Sequence, residues 1–136
     1  MDKIDKRFDA KVLVADDYPI NLELTKEMLE MMDCDVDIAE DGAEALECYN
    51  DNAYNIIFLD IQMPGKDGYE VCREIRKIEK EQNKPSTAIV ALTANAMAED
   101  RDLCLAAGMD EYLAKPVRGQ DLVKILEKFL SKKNNA

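Results

Sequence analysis

Asn55-Ile-Ile-Phe-Leu-Asp60 holds four successive apolar side chains and then stops on a carboxylate. A strand with one face in water alternates polar and apolar residues, whereas an unbroken apolar run of this length suits a strand buried on both faces. Ile89-Val-Ala-Leu92 is continuous in the same way, within a strand predicted from Thr87 to Leu92 that ends at Thr93. Lys11-Val-Leu-Val-Ala15 is apolar and rich in β-branched residues, and it ends at Asp16-Asp17. Two shorter strands are predicted at Val36 to Ala39 and at Glu111 to Ala114, the second followed by Lys115-Pro116.

Segments of helical period separate these strands. Pro19, favoured in a first helical turn, precedes a helix predicted from Asn21 to Asp33, with Leu24, Met28 and Met32 at spacings of four. Gly42 opens a second helix carrying Ala45, Leu46 and Tyr49. Asp67, a side chain suited to an N-cap, leads a third with the stripe Val71, Cys72, Ile75 and Ile78. Glu99 to Ala107 is a short fourth helix that Gly108 would terminate. Leu122, Ile125, Leu126, Phe129 and Leu130 give the last helix a regular apolar face. Five strands alternating with five helices make βαβ units, hence a parallel sheet covered on both faces. The expectation is one doubly wound α/β domain over residues 11–131, preceded by a preamble of residues 1–10 and followed by a polar tail of residues 132–136.

Composition narrows the function. The 136 residues carry a net charge of −11, which opposes binding to a phosphate backbone or an anionic lipid surface. There is no histidine, so a Ser-His-Asp triad, a His-ligated zinc and an internal phosphohistidine are all excluded. The four cysteines, at positions 34, 48, 72 and 104, form no C-x-x-C pair and read as reduced thiols. No apolar run approaches the roughly 18 residues of a membrane span. Met1 to Arg7 is charged and lacks the apolar region of a signal peptide. The expected location is the cytoplasm, with no nucleic acid bound and no membrane insertion.

Open parallel sheets bind ligands beyond the carboxyl ends of their strands. The residues there are Asp16 and Asp17, Asp60, Thr93 and Lys115, with no obvious chemical group after the second strand. In a 2-1-3-4-5 order the first and third strands are neighbours, so three carboxylates would converge on one rim. Two like charges about 4 Å apart repel by roughly 4 kcal/mol at an effective dielectric near 20. Such a group either raises its own pKa values or recruits a cation. An all-oxygen donor set suits a hard ion such as Mg²⁺. Lys115 alone cannot balance three negative charges, so the rim also invites a phosphoryl group bound through the ion. Singly, an Asp-Asp pair is a solvated turn, Thr93 a capping hydroxyl and Lys115 a surface amine. Their joint placement on one edge is what points to chemistry.

Four stretches then resemble the receiver domain of two-component response regulators, over residues 11–131. They are Val-Leu-Val-Ala-Asp-Asp at 12–17, Phe-Leu-Asp-Ile-Gln-Met-Pro-Gly-Lys-Asp-Gly at 58–68, Ala-Leu-Thr-Ala-Asn-Ala at 91–96 and Gly-Met-Asp-Glu-Tyr-Leu-Ala-Lys-Pro at 108–116. Asn21, with Asp60-Ile-Gln-Met-Pro and Leu92-Thr-Ala-Asn-Ala-Met, is most like the receivers of hybrid histidine kinases. The resemblance implies a flavodoxin-like fold, from which the strand order above is partly borrowed. It implies that Asp60 accepts a phosphoryl group from a phosphohistidine on a histidine kinase or histidine phosphotransfer protein. Asp17, Asp60 and the main-chain carbonyl of Gln62 would hold Mg²⁺ directly, with Asp16 acting largely through water. Lys115 and the ion would neutralise the transferring oxygens. Thr93 and Tyr112 would form the switch, with small Ala94 leaving room beside the phosphoryl group. The face built by the fourth helix, fifth strand and fifth helix would be the output surface. Gln62 and Asn95 would flank the path of hydrolytic water, Lys115-Pro116 would be a cis peptide, and a homodimer on activation is among the assemblies the family allows. On this reading the chain catalyses its own phosphorylation and dephosphorylation and is not an enzyme with a separate substrate.

Two other functions fit the same fold. A Mg²⁺-dependent phosphatase with an aspartyl nucleophile expects Asp-x-Asp, whereas the residue two past Asp60 is Gln62, which cannot donate a proton in that way. A pure interaction module would have no use for the full set of strand-end residues.

Overall fold

The computed structural model describes residues 7–94 and 98–134, the side chains of 98–100 and 131–134 excepted. Its elements are β1 (Lys11–Ala15), α1 (Pro19–Glu30), β2 (Asp35–Ala39), α2 (Gly42–Asp51), β3 (Ile56–Asp60), α3 (Gly68–Glu81), β4 (Ala88–Thr93), α4 (Ala98–Ala107), β5 (Glu111–Ala114) and α5 (Gly119–Asn134). The strands form one five-stranded sheet in the order β2-β1-β3-β4-β5. All neighbouring pairs are parallel. The flavodoxin-like order expected from the sequence is the observed one.

β3 lies at the centre, and all five of its residues are buried. Its side chains alternate between two cores. Ile56 and Phe58 pack with Val12, Val14, Leu22, Leu29, Leu122 and Leu126, beneath α1 and α5. Ile57 and Leu59 pack with Leu13, Ala45, Val71, Cys72 and Ile75, beneath α2 and α3. Full burial of a side chain such as Phe58 is worth about 1.5–3 kcal/mol relative to exposure, which is why this run carries no polar residue until its end.

Local chemistry sets the helix starts. Asp41 accepts a hydrogen bond from the Glu44 N–H at 2.8 Å, and Asp67 accepts one from the Glu70 N–H at 2.9 Å. Each satisfies a backbone donor that the first turn leaves open. Pro19 occupies the first turn of α1, so the helix starts two residues before the predicted Asn21. The face it buries is Leu22, Thr25 and Leu29, while Leu24 is 52 % exposed. Of Leu24, Met28 and Met32, Leu24 thus faces outward, whereas Met28 packs against the core and Met32, just past the helix end, is fully buried in it. Apolar residues lie on two sides of this helix, and Leu22, Met28 and Leu29, with the buried Thr25, are the ones turned to the core. α5 runs to Asn134, past the Lys132 at which the sequence pattern places a polar tail. Lysine is a good helix former, so the sequence there does not end the helix. Gly108 ends α4 with φ of 100°, a conformation that a residue without Cβ adopts at little cost.

Candidate functional site

Backbone hydrogen bonding fixes the rim before any side chain does. One residue past each strand end the ladder still holds. The Asp16 N–H donates to the Ala39 carbonyl at 3.1 Å, the Ile61 N–H to that of Leu92 at 3.1 Å and the Lys115 N–H to that of Thr93 at 2.8 Å. Residues 16, 60, 93 and 115 are thereby anchored on one edge of the sheet.

Asp16, Asp17 and Asp60 each bring a carboxylate oxygen within 4.8 Å of the other two. Asp16 and Asp60 are each only 2 % exposed, whereas Asp17 faces solvent. Lys115 comes in from the far side. Its Nζ lies 2.8 Å from Asp60 Oδ2 and 3.2 Å from Asp16 Oδ2. The other oxygens are held by main chain: Asp16 Oδ1 accepts from the Tyr18 N–H at 3.0 Å and Asp60 Oδ1 from the Gln62 N–H at 3.0 Å. The two buried carboxylates are therefore aimed by short-range contacts within their own loops and tied together by one amine.

Burial pushes the Asp60 carboxyl up to about 6. The Lys115 hydrogen bond and the Gln62 N–H oppose that rise, and the neighbouring Asp16 charge adds to it. For Lys115, burial favours loss of the proton, but the hydrogen bond to Asp60 and the charges of Asp60 and Asp16 outweigh it, so its pKa is raised. One ammonium faces three carboxyl groups. The donors are all hard oxygens, two of them dry and one open to water, which fits a small divalent cation that keeps part of its water shell.

The remaining predicted residues fall around this core. Thr93 is 1 % exposed at the last position of β4, paired in register with Ala114. Ala94, just beyond it, is exposed, and so is the Gln62 side chain. Tyr112 is half-buried on β5 opposite Ala91 and packs against the α2–α3 core. The Lys115-Pro116 peptide bond is cis. Asn95 lies outside the described residues. Among the described residues no helix is long and apolar enough to cross a membrane.

Two further features bear on the site. A Cβ on Gly68 would lie 2.5 Å from the Asp60 carbonyl oxygen and 2.9 Å from the Ile61 Cα, so the start of α3 is pressed directly against the Asp60 backbone. The Asp67-Gly68 pair signals a helix start in the sequence; that the glycine touches Asp60 has no local signal. The second is a polar network at the opposite edge of the sheet. Arg76 of α3 donates to Glu79, to the carbonyls of Thr87 and Gly108, and to Asp110. Glu79 is 4 % exposed. Its position is four residues after Ile75 and eight after Val71, on the buried face of α3. That spacing is the signal by which the sequence could have revealed it.

Comparison with known proteins agrees with this geometry. The family model described as the response regulator receiver domain matches residues 12–127. The chain is 43% identical over 122 residues to hybrid signal transduction histidine kinase L of Dictyostelium discoideum, covering 88% of this chain and 7% of that protein. It is 40% identical over 119 residues to the sensor protein GacS of Pseudomonas syringae pv. syringae, covering 88% of this chain and 13% of that one. The chain thus spans only a small part of these relatives. Among solved structures, the receiver domain of the sensor histidine kinase PA1611 from Pseudomonas aeruginosa PAO1, with magnesium coordinated in its active-site cleft, superposes with a TM-score of 0.79 at 36% identity, covering 90% of this chain and 98% of that one. A co-crystal structure of the Saccharomyces cerevisiae phosphotransfer protein Ypd1 and the receiver domain of Ssk1 gives a TM-score of 0.88 at 28% identity, covering 96% of this chain and 94% of the matched chain. With its three converging carboxylates, its lysine after β5 and a family match across nearly its whole length, this chain belongs to the response regulator receiver domain family.

Proposed function

We propose that this receiver takes a phosphoryl group from a phosphohistidine on a histidine kinase or histidine phosphotransfer protein onto Asp60. The observation that carries the reading is the pairing of Lys115 Nζ with Asp60 Oδ2 at 2.8 Å inside a cluster of three carboxylates. A carboxylate oxygen of Asp60 forms the bond to phosphorus, the phosphorus–nitrogen bond of the donor breaks, and the imidazole leaves with the electron pair. The Gln62 N–H keeps Asp60 Oδ1 in place. Lys115 exchanges its contact with Asp60 for one with a phosphoryl oxygen, so the positive charge is already in position when the anion arrives.

Asp16, Asp17 and Asp60, with the main-chain carbonyl of Gln62, would hold Mg²⁺. When bound, that ion would neutralise the carboxylates and the phosphoryl oxygens. A receiver similar to this one carries magnesium in its cleft, which supports the assignment. The donor would approach over α1, where Tyr18, Ile20 and Leu24 are 55%, 60% and 52% exposed next to Asp17. Thr93 and Tyr112 would act as the switch, with Ala94 leaving room beside the phosphoryl group, and α4, β5 and α5 would carry the output. Self-catalysed dephosphorylation would use the same groups. Cys34, Cys48, Cys72 and Cys104 form no disulfide among the described residues, which accords with a cytoplasmic setting.

The test is incubation with acetyl phosphate and Mg²⁺ followed by intact-protein mass spectrometry. A single phosphoryl adduct that Mg²⁺ removal abolishes and Asp60→Asn eliminates is the expected result. A folded, Mg²⁺-loaded protein that takes no adduct would overturn the reading.

A further inference from the structure

β5 is an edge strand of four residues, none of them fully buried, and among the described residues it pairs only with β4. Yet it delivers Lys115 to the site and carries Tyr112. A strand this short and exposed has little packing of its own to set its position, so its two ends decide where it sits. At the site end the Lys115 N–H donates to the Thr93 carbonyl at 2.8 Å. At the far end Asp110, the residue before β5, is paired twice with Ile89: its N–H reaches the Ile89 carbonyl at 2.8 Å, and its Oδ2 accepts from the Ile89 N–H at 2.9 Å.

The same Oδ2 also accepts from Arg76 Nη2 at 2.9 Å. Arg76 makes three further hydrogen bonds. Nε donates to the Gly108 carbonyl at 2.9 Å, and Nη1 donates to Glu79 Oε1 at 2.9 Å and to the Thr87 carbonyl at 2.8 Å. Glu79 Oε2 in turn accepts from the Thr87 N–H at 2.8 Å. One guanidinium on α3 therefore ties together the start of β4 and the turn that launches β5. Glu79, buried against it, holds its orientation.

We propose that Arg76 is a positioning residue for Lys115, acting from the opposite edge of the sheet by fixing β5 on β4. This rests on the proposed function, in which Lys115 meets the incoming phosphoryl group while the carboxylates meet the ion. The carboxylates come from the ends of β1 and β3, and among the described residues none of Arg76's hydrogen bonds goes to either strand. Loss of the guanidinium therefore separates two binding events that general destabilisation would weaken together.

The experiment measures Mg²⁺ alone, then Mg²⁺ with beryllofluoride as the phosphoryl mimic, in the wild type, Arg76→Gln, Lys115→Ala and the double variant. Arg76→Gln is expected to bind Mg²⁺ within about twofold of wild type and beryllofluoride about tenfold more weakly, as displaced positioning groups do. The double variant should bind beryllofluoride no more weakly than Lys115→Ala, since the two changes act through one amine. Equal loss of both ligands in Arg76→Gln, loss of neither, or additive losses in the double variant would overturn the proposal. If Arg76→Gln does not melt cooperatively, Asp110→Asn carries the same test with the same direction at smaller size. A wild type that binds neither Mg²⁺ nor beryllofluoride would instead sink the proposed function itself.

Discussion

Gly68 and Asp60 are packed backbone against backbone, with room between them for a hydrogen and not for a methyl group. Gly68→Ala therefore forces either the start of α3 or the end of β3 to move. Overpacking of this kind costs about 1–3 kcal/mol. Because the displaced atoms belong to Asp60 and Ile61, Mg²⁺ affinity is expected to fall along with the melting temperature. A thermal melt paired with a Mg²⁺ titration checks both. Normal ion affinity in a destabilised variant would show that α3 alone had yielded.

Lys115 is the one cation paired with Asp60 and Asp16 among the described residues. Lys115→Ala leaves two buried carboxyl groups with only their main-chain hydrogen bonds. The expected result is a loss of about 2 kcal/mol in the metal-free protein, together with an Asp60 pKa above that of the wild type. Denaturation near neutral pH measures the first and carboxyl-carbon NMR the second.

Asp17 behaves differently because it is exposed. Asp17→Ala removes one of three mutually repelling charges without opening a cavity. The metal-free variant should be as stable as wild type or more so, while Mg²⁺ affinity drops about tenfold or more. Melting with and without Mg²⁺ separates the two effects, and a variant that Mg²⁺ still stabilises as strongly as wild type would contradict the assignment.

The pH dependence has a definite sign. Burial lifts Asp60 from 3.8 to about 6, so the folded protein keeps a proton there after the unfolded chain has lost it. The contribution of Asp60 to stability therefore falls as pH rises from about 4 to about 6 and is level above that. In chelator, the stability advantage of Asp60→Asn over wild type should grow across this window and then hold constant. An advantage independent of pH would show that Asp60 is already ionised at the low end.

The rim was open to sequence reasoning because the strands announce their own ends. Ile56 to Leu59 stop at Asp60, and Glu111 to Ala114 stop at Lys115, so topology alone brings chemistry to one edge. The order of the strands was less legible, since no residue states its neighbour; it came partly from the family resemblance. The Arg76 network was hidden for a different reason. Arg76 and Glu79 look like an exposed i, i+3 pair on an amphipathic helix; the spacing of Glu79 from Val71 and Ile75 hints at its burial, but the approach of Gly108 and Asp110 to Arg76, more than 30 residues later in the chain, has no local signal. The inner face of α1 was obscured because Ile20 and Leu24 are apolar on its outer side.

β3 has a last consequence for how transfer proceeds. Clamped between two cores along its whole length, it holds its terminal carboxylate at a stationary address. In the proposed transfer, a nucleophile so anchored has little main-chain freedom to travel toward its reagent. On that proposal the reach that closes the gap would come mainly from the donor. Transfer rates across a set of donors should therefore follow the suppleness of the visitor, with the host serving as a fixed anvil.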